Sequence, residues 1–384
     1  MPEGHDGETA LTPEAIAEVR SRIGQIYPAK PWWNVATSDV IRHFAEGYGD
    51  HNPLFRHSDY ARQTVFGRIV APPTFLYCAI SAGGGTGGIG LPGAFAVQRS
   101  DEWEFFSQIY EGDSISGIRR LVSLEEKDSR WGGRIAEETM RTDFYRNGRE
   151  HAATLLSVSI RSDRRRTREV NEKVVREPSL PVIYSDEDLD NIAKLYDAEE
   201  IRGGKARFFE DVQLGDSLGV IVRGPLSVRD IIAWWMGRGA PYMKSYGFWH
   251  DHVVRSPGIG IINPVTNVRE SPEAAHFDEE LARRSGMEGT YDVGMLRVAL
   301  CSSLLTNWCG DHGVVKRLKV WLDRPHYCGE TAWITGSVTG KTADGDVAVS
   351  LEMKNQADKV LTHAEGLIRL PTKANVNSSP ISTI

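Results

Sequence analysis

The chain carries the same short text twice, and this repetition constrains its fold more than any other feature. Tyr110-Glu111-Gly112-Asp113-Ser114 returns as Tyr327-Cys328-Gly329-Glu330-Thr331. Ahead of each lies a helix-like run opening on aspartate: Asp39-Val40-Ile41-Arg42-His43-Phe44, then Asp230-Ile231-Ile232-Ala233-Trp234-Trp235. Alternating stretches of strand length follow, near residues 118–124, 133–145 and 152–160, then 316–322, 331–340 and 348–355. Asn147-Gly148 marks a tight turn between two of them. Motifs that recur in order read as a tandem duplication. Each unit is a helix against an antiparallel sheet, which places the chain in the α+β class.

The densest copy of the pattern is residues 48–75, YGDHNPLFRHSDYARQTVFGRIVAPPTF. Gly49 to Leu54 is turn-forming, because Gly and Asn tolerate positive φ and Pro53 holds Asn52 extended. Residues 58–62 read as one short helical turn. Pro73 then suits the first position of a buried helix over 73–82. A polar overhang above a buried helix suits a thioester. The overhang supplies acid and base, and the helix N-terminus supplies backbone N–H groups for a carbonyl oxygen.

The second unit opens at Phe208-Phe209-Glu210-Asp211 and carries His276-Phe277-Asp278 followed by Gly289-Thr290-Tyr291-Asp292-Val293-Gly294. Its buried helix is expected over residues 295–305. Together these stretches resemble the MaoC-like dehydratases, the (R)-specific enoyl-CoA hydratases. Their signature is a Gly-Asp, an Asn-Pro-Leu-His and a glycine-rich approach to a central helix. The resemblance implies a tandem double hotdog, each half a long helix wrapped by an antiparallel sheet. It gives residues 1–165 to a FAS1-like dehydratase domain, 166–205 to a charged linker and 206–384 to a MaoC-like domain with an insertion at 242–270.

The resemblance implies a hydro-lyase that interconverts an enoyl-CoA and a 3-hydroxyacyl-CoA by acid/base-activated water. A thioester-binding subunit without chemistry and a hotdog thioesterase are the other readings. Asp50 matches the family's catalytic aspartate, but Phe55 stands where its histidine belongs. His51 and His57 are nearby, outside that slot. The first copy is therefore expected to shape the acyl pocket. His276 holds the histidine slot of the second copy, whose aspartate slot is placed at Gly239-Ala240-Pro241. Asp292 is then the substitute acid, or else a helix-terminus charge. Gly294, Asn52, Tyr291 and Asn263 are assigned to substrate binding, Asn263 as a displaced remnant of the family's Asn-Pro.

Other segments carry less. Thr12-Pro13 starts an N-terminal helix with Ile16, Val19, Ile23 and Ile26 on one face. Trp32 and Trp33 anchor the chain. The glycine run 83–90 lacks a P-loop's Lys-Ser/Thr and reads as a loop. The basic run from Arg161 reads as a solvated linker face. Trp249-His250-Asp251-His252, read as a strand, sets both histidines on one face without further metal ligands. The insertion around it reads as a lid.

A net charge of −7 argues against a nucleic-acid binder. No run has membrane-spanning length, residues 1–8 do not read as a signal peptide, and four cysteines without CxxC spacing suit a reducing cytoplasm. The expected partners are an acyl-CoA thioester and a second copy, as a dimer of double hotdogs, with no metal or cofactor.

Overall fold

The structure, a computed structural model, describes residues 11–29, 32–80, 91, 94–129, 133–163, 182–240, 242–256 and 259–374. The glycine run 83–90 and the basic run beyond Asp163 fall outside them. In chain order the strands are β1 (Ile26–Pro28), β2 (Ala94–Phe105), β3 (Ile115–Ser129), β4 (Gly133–Arg146), β5 (Glu150–Asp163), β6 (Ser217–Arg223), β7 (Ile261–Ile262), β8 (Arg269–Glu270), β9 (Val314–Leu322), β10 (Ala332–Lys341), β11 (Asp346–Asn355) and β12 (Val360–Arg369). Ten form one antiparallel sheet in the order β1-β3-β4-β5-β2-β9-β12-β11-β10-β6; β7 and β8 form a separate hairpin.

The two copies meet edge to edge at β2 and β9. Glu102 pairs with Lys319, Trp103 with Leu318 and Asp101 with Val320. Glu102 also takes ion pairs from Arg317 and Lys319, so the seam is charged on its outer face. Beneath it lies one continuous hydrophobic cluster drawn from both copies, including Phe44, Phe75, Trp103, Trp234, Leu300 and Val320.

The second copy's central helix is Gly294–Cys309, and nearly its whole surface is buried. A helix buried on almost every face belongs to the core of a domain. The first copy departs from the long helix expected over 73–82. Residues Pro73–Ala79 form a 3-10 helix, and Ile80 is already extended. The Cys78 carbonyl, which an α-helix would offer to the N–H four residues on, instead accepts from Trp32 N–H at 2.9 Å. Trp32 also packs on Gly239, where a Cβ would come within 2.4 Å of the indole. The tryptophan therefore anchors the chain, as expected from sequence.

The aspartate-led helices of the two copies, Ser38–Gly47 and Val228–Arg238, pack against each other. They cross at glycines: a Cβ on Gly237 would lie 2.4 Å from the His43 carbonyl oxygen. Phe44 and Trp234 fill the crossing, with ring centroids 5.6 Å apart. The N-terminal helix Pro13–Ser21, capped by Thr12, buries Ile16 and Val19 against Leu121, Leu124 and Met140. Ile23 and Ile26, expected on its buried face, are exposed.

Candidate active site

The first copy's overhang is closed on itself. Asp50 is 2% exposed and accepts from Tyr48 Oη (3.0 Å), Asn52 N–H (2.9 Å) and Ser303 Oγ (2.7 Å). Ser303 belongs to the central helix of the second copy, so Asp50 joins the two halves. Burial raises its pKa despite these donors. Asn52 caps the short helix Pro53–Arg56, its Oδ1 accepting from Leu54 N–H at 3.0 Å. A cavity of about 700 Å³, open mouth included, lies beside it. Its walls include Phe55, Leu76, Phe105, Ile109 and Val315, with Thr306 and Asp311 from the end of the central helix. It is apolar where a histidine would be needed.

Isolated bridges register the two copies. Val70 pairs with Tyr110, and Tyr291 pairs with Tyr327. Placing Val70 on Tyr291 sets Phe55 on His276, Asn52 on Glu273 and Asp50 on Ser271. The aspartate slot expected at Gly239-Ala240-Pro241 thus belongs to Ser271. The long insertion lies ahead of the turn rather than inside it, so the turn is displaced intact to residues 271–276.

His276 ends the 3-10 turn Pro272–His276. Its Nδ1 lies 3.1 Å from the Tyr291 carbonyl oxygen. A carbonyl only accepts, so Nδ1 carries the proton and Nε2 keeps its lone pair. The half-buried ring packs on Tyr291 at 4.4 Å and Trp235 at 6.2 Å, and burial lowers its pKa. Burial keeps the Tyr291 phenol protonated.

Asp292, expected as the free acid, is committed elsewhere. Its Oδ2 lies 2.9 Å from Arg297 Nε, and its Oδ1 accepts from His326 N–H at 3.3 Å. Both partners of the ion pair are buried. Arg297 further holds the carbonyls of Arg324 and Leu361 and the hydroxyl of Thr362. Gly294 opens the central helix one turn away; a Cβ there would meet Gln98 Oε1 and Leu322 Cδ1, each at 2.6 Å. The atoms that approach Gly294 are thus side-chain ends from β2 and β9.

The same register converts the first copy's pocket wall into polar groups. Ala71 corresponds to Asp292, Leu76 to Arg297, Ile109 to His326 and, across the β2–β9 pairing, Val315 to Gln98. Arg297, His326 and Gln98 were not singled out in the sequence. The signal was available: an arginine inside an otherwise apolar helix, and a histidine just before the repeated Tyr-x-Gly motif.

Two other expectations fail. Asn263 closes a local turn, its Oδ1 accepting from Val265 N–H (2.9 Å) and Thr266 N–H (3.1 Å), while Nδ2 reaches Asp278 at 3.4 Å. Both ends of the amide are spent within the protein. Trp249–His252 lies on the helix Tyr246–Arg255 rather than a strand, so His250 and His252 do not share a face. Among the described residues no group of three or more His, Cys, Asp or Glu is placed to hold a metal, and no helix is long and apolar enough to cross a membrane.

The paired sheet halves around a buried helix define a double hotdog. A MaoC-like dehydratase superposes with a TM-score of 0.65, at 19% identity, over 92% of this chain and 100% of that one. A putative MaoC domain protein dehydratase from Chloroflexus aurantiacus gives 0.57 at 13% identity, over 92% and 96% of the two chains. A Mycobacterium tuberculosis protein described as a double hotdog gives 0.52 at 11%, over 90% and 96%. Residues 21–152 match the family described as the FAS1-like dehydratase domain region. A UPF0336 protein of Streptomyces griseus is 28% identical over 116 residues, 28% of this chain and 77% of that protein. One from Parafrankia is 48% identical over 94 residues, 22% of this chain and 56% of that protein. The chain shares the double-hotdog fold of these proteins, and its first copy carries the match to the FAS1-like dehydratase domain region.

Proposed function

We propose that the protein hydrates an enoyl-CoA, or dehydrates the 3-hydroxyacyl-CoA, at the second copy. The observation that carries this is the His276 Nδ1 contact with the Tyr291 carbonyl, which leaves Nε2 unprotonated. Nε2 takes a proton from water as the oxygen adds to C3, and the imidazolium returns a proton to C2. The product gains one water across the double bond. The enolate oxygen formed between these steps faces the N-terminal N–H groups of the helix Gly294–Cys309, where the helix dipole favours negative charge. Asp292 is a positioning residue in this scheme: with Arg297 it fixes the loop that carries Tyr291. Asp50 and Asn52 hold the first copy's overhang.

Ser271 in the aspartate slot favours a second reading, a thioester-binding protein without turnover. The two separate in one experiment. Wild type and His276→Ala are assayed for loss of enoyl absorbance across short trans-2-enoyl-CoA substrates. The expected result is turnover by wild type and a loss of about a hundredfold or more in the variant, the size of a general acid–base contribution. Equal rates would end the assignment to His276. Tight acyl-CoA binding without wild-type turnover would establish the second reading.

A further inference from the structure

The second copy also holds a buried cation. Arg238 ends the helix Val228–Arg238 and is 1% exposed. Its Nη atoms reach two backbone carbonyls, Gly239 at 3.1 Å and Ile80 at 3.4 Å, and among the described residues its Nε–H has no partner. A guanidinium has five N–H donors in a planar fork, so most of this one is unspent. Asp101 and Glu273 lie in its field, and neither closes an ion pair with it. Asp101 is held by Tyr77 and Ser157. Glu273 accepts from Tyr242 N–H. Burial raises the pKa of both carboxyls, Asp101 to about 6. Keeping an unpaired charge in a protein interior is costly. The cost is recovered when an anion arrives.

Trp235 connects this cation to the proposed base. Its ring lies 6.2 Å from the His276 ring and 5.7 Å from the Arg238 guanidinium carbon. Polar groups lie beside the guanidinium as well: Asp101, in the field of Arg238, and its partner Ser157 are both buried, on β2 and β5.

We propose that Arg238 receives an anionic group at the far end of the acyl chain, so that the substrate is a short acyl thioester with a distal carboxylate. The identity of the bound thioester rests on the function proposed above; the cation site does not require turnover. A carboxylate fits the paired donors of the fork. One guanidinium beside two carboxyls suits a monoanion rather than a doubly charged phosphate.

The test is calorimetric titration of the full chain with adipyl-CoA and hexanoyl-CoA, saturated thioesters that cannot be hydrated. Wild type should bind adipyl-CoA about tenfold or more tighter, roughly the 1.4 kcal/mol that a tenfold ratio represents. Arg238→Gln should bring the ratio to about one, and Arg238→Lys should retain part of it. A wild-type ratio at or below one overturns the proposal, as does an unchanged ratio in folded Arg238→Gln. If that variant loses its cooperative melt, the wild-type ratio and Arg238→Lys decide. Turnover of trans-2-hexenedioyl-CoA against trans-2-hexenoyl-CoA then separates the two claims. Preference in binding with no turnover of either keeps the cation site and rejects the hydratase. Turnover of both with no preference in binding does the reverse.

Discussion

Burial holds the His276 imidazole below its ordinary pKa of 6.5. A base that titrates low is unprotonated over the physiological range, so the acid limb of kcat/KM should lie below pH 6.5, with rates level above it until another group titrates. The stability effect has the same sign. The unfolded chain binds the proton more readily than the folded one, so this residue's contribution is lost as pH falls below the unfolded value. An acid limb above 6.5 in a pH–rate profile would assign the base to another group. Asp292 makes a second residue-level prediction. Asp292→Asn removes one partner of a buried ion pair and leaves Arg297 charged inside the protein. It should cost about 3 kcal/mol of stability, measured by urea unfolding. Unchanged stability with a rate about a hundredfold lower would instead make Asp292 the catalytic carboxylate.

The two copies differ most in their central elements. The second copy has a full helix with Ser303 facing Asp50; the first has a 3-10 segment stopped by Trp32. Ser303→Ala should leave a buried Asp50 oxygen with one donor fewer, costing about 1–3 kcal/mol. An unchanged melting temperature would show that Asp50 does not depend on the second copy. The order of elements was legible in the sequence because turn residues, the Tyr-x-Gly repeat and period-two strands are local signals. So were His276 on the helix-bearing half and Phe55 in place of its counterpart. What escaped was set by distant partners. Trp32 taking the Cys78 carbonyl shortened the first helix, and Arg297 claimed Asp292. The insertion moved the second aspartate slot to Ser271. Asn263 looked like a ligand-binding amide because sequence does not show which N–H groups a side chain already serves.

At the scale of the molecule, the duplication is fused rather than merely linked. One sheet runs through both copies across β2 and β9, and one hydrophobic cluster lies beneath it. The Gly47–Gly237 helix crossing and the Asp50–Ser303 bond also span the halves. Separation would open β2 and β9 as unpaired edges, which invite aggregation. It would also expose Trp234 and Phe44, now fully buried at the crossing. Cutting the chain between residues 165 and 181 and producing each part alone should therefore give aggregated or non-cooperative material, whereas producing both together should restore a soluble heterodimer. Size-exclusion chromatography and thermal melts of each part and of the pair would read this directly. A monomeric half with its own cooperative melt would mean that the shared cluster and seam are dispensable. The two copies would then be independent domains, and the second copy's site would be expected to work without the first.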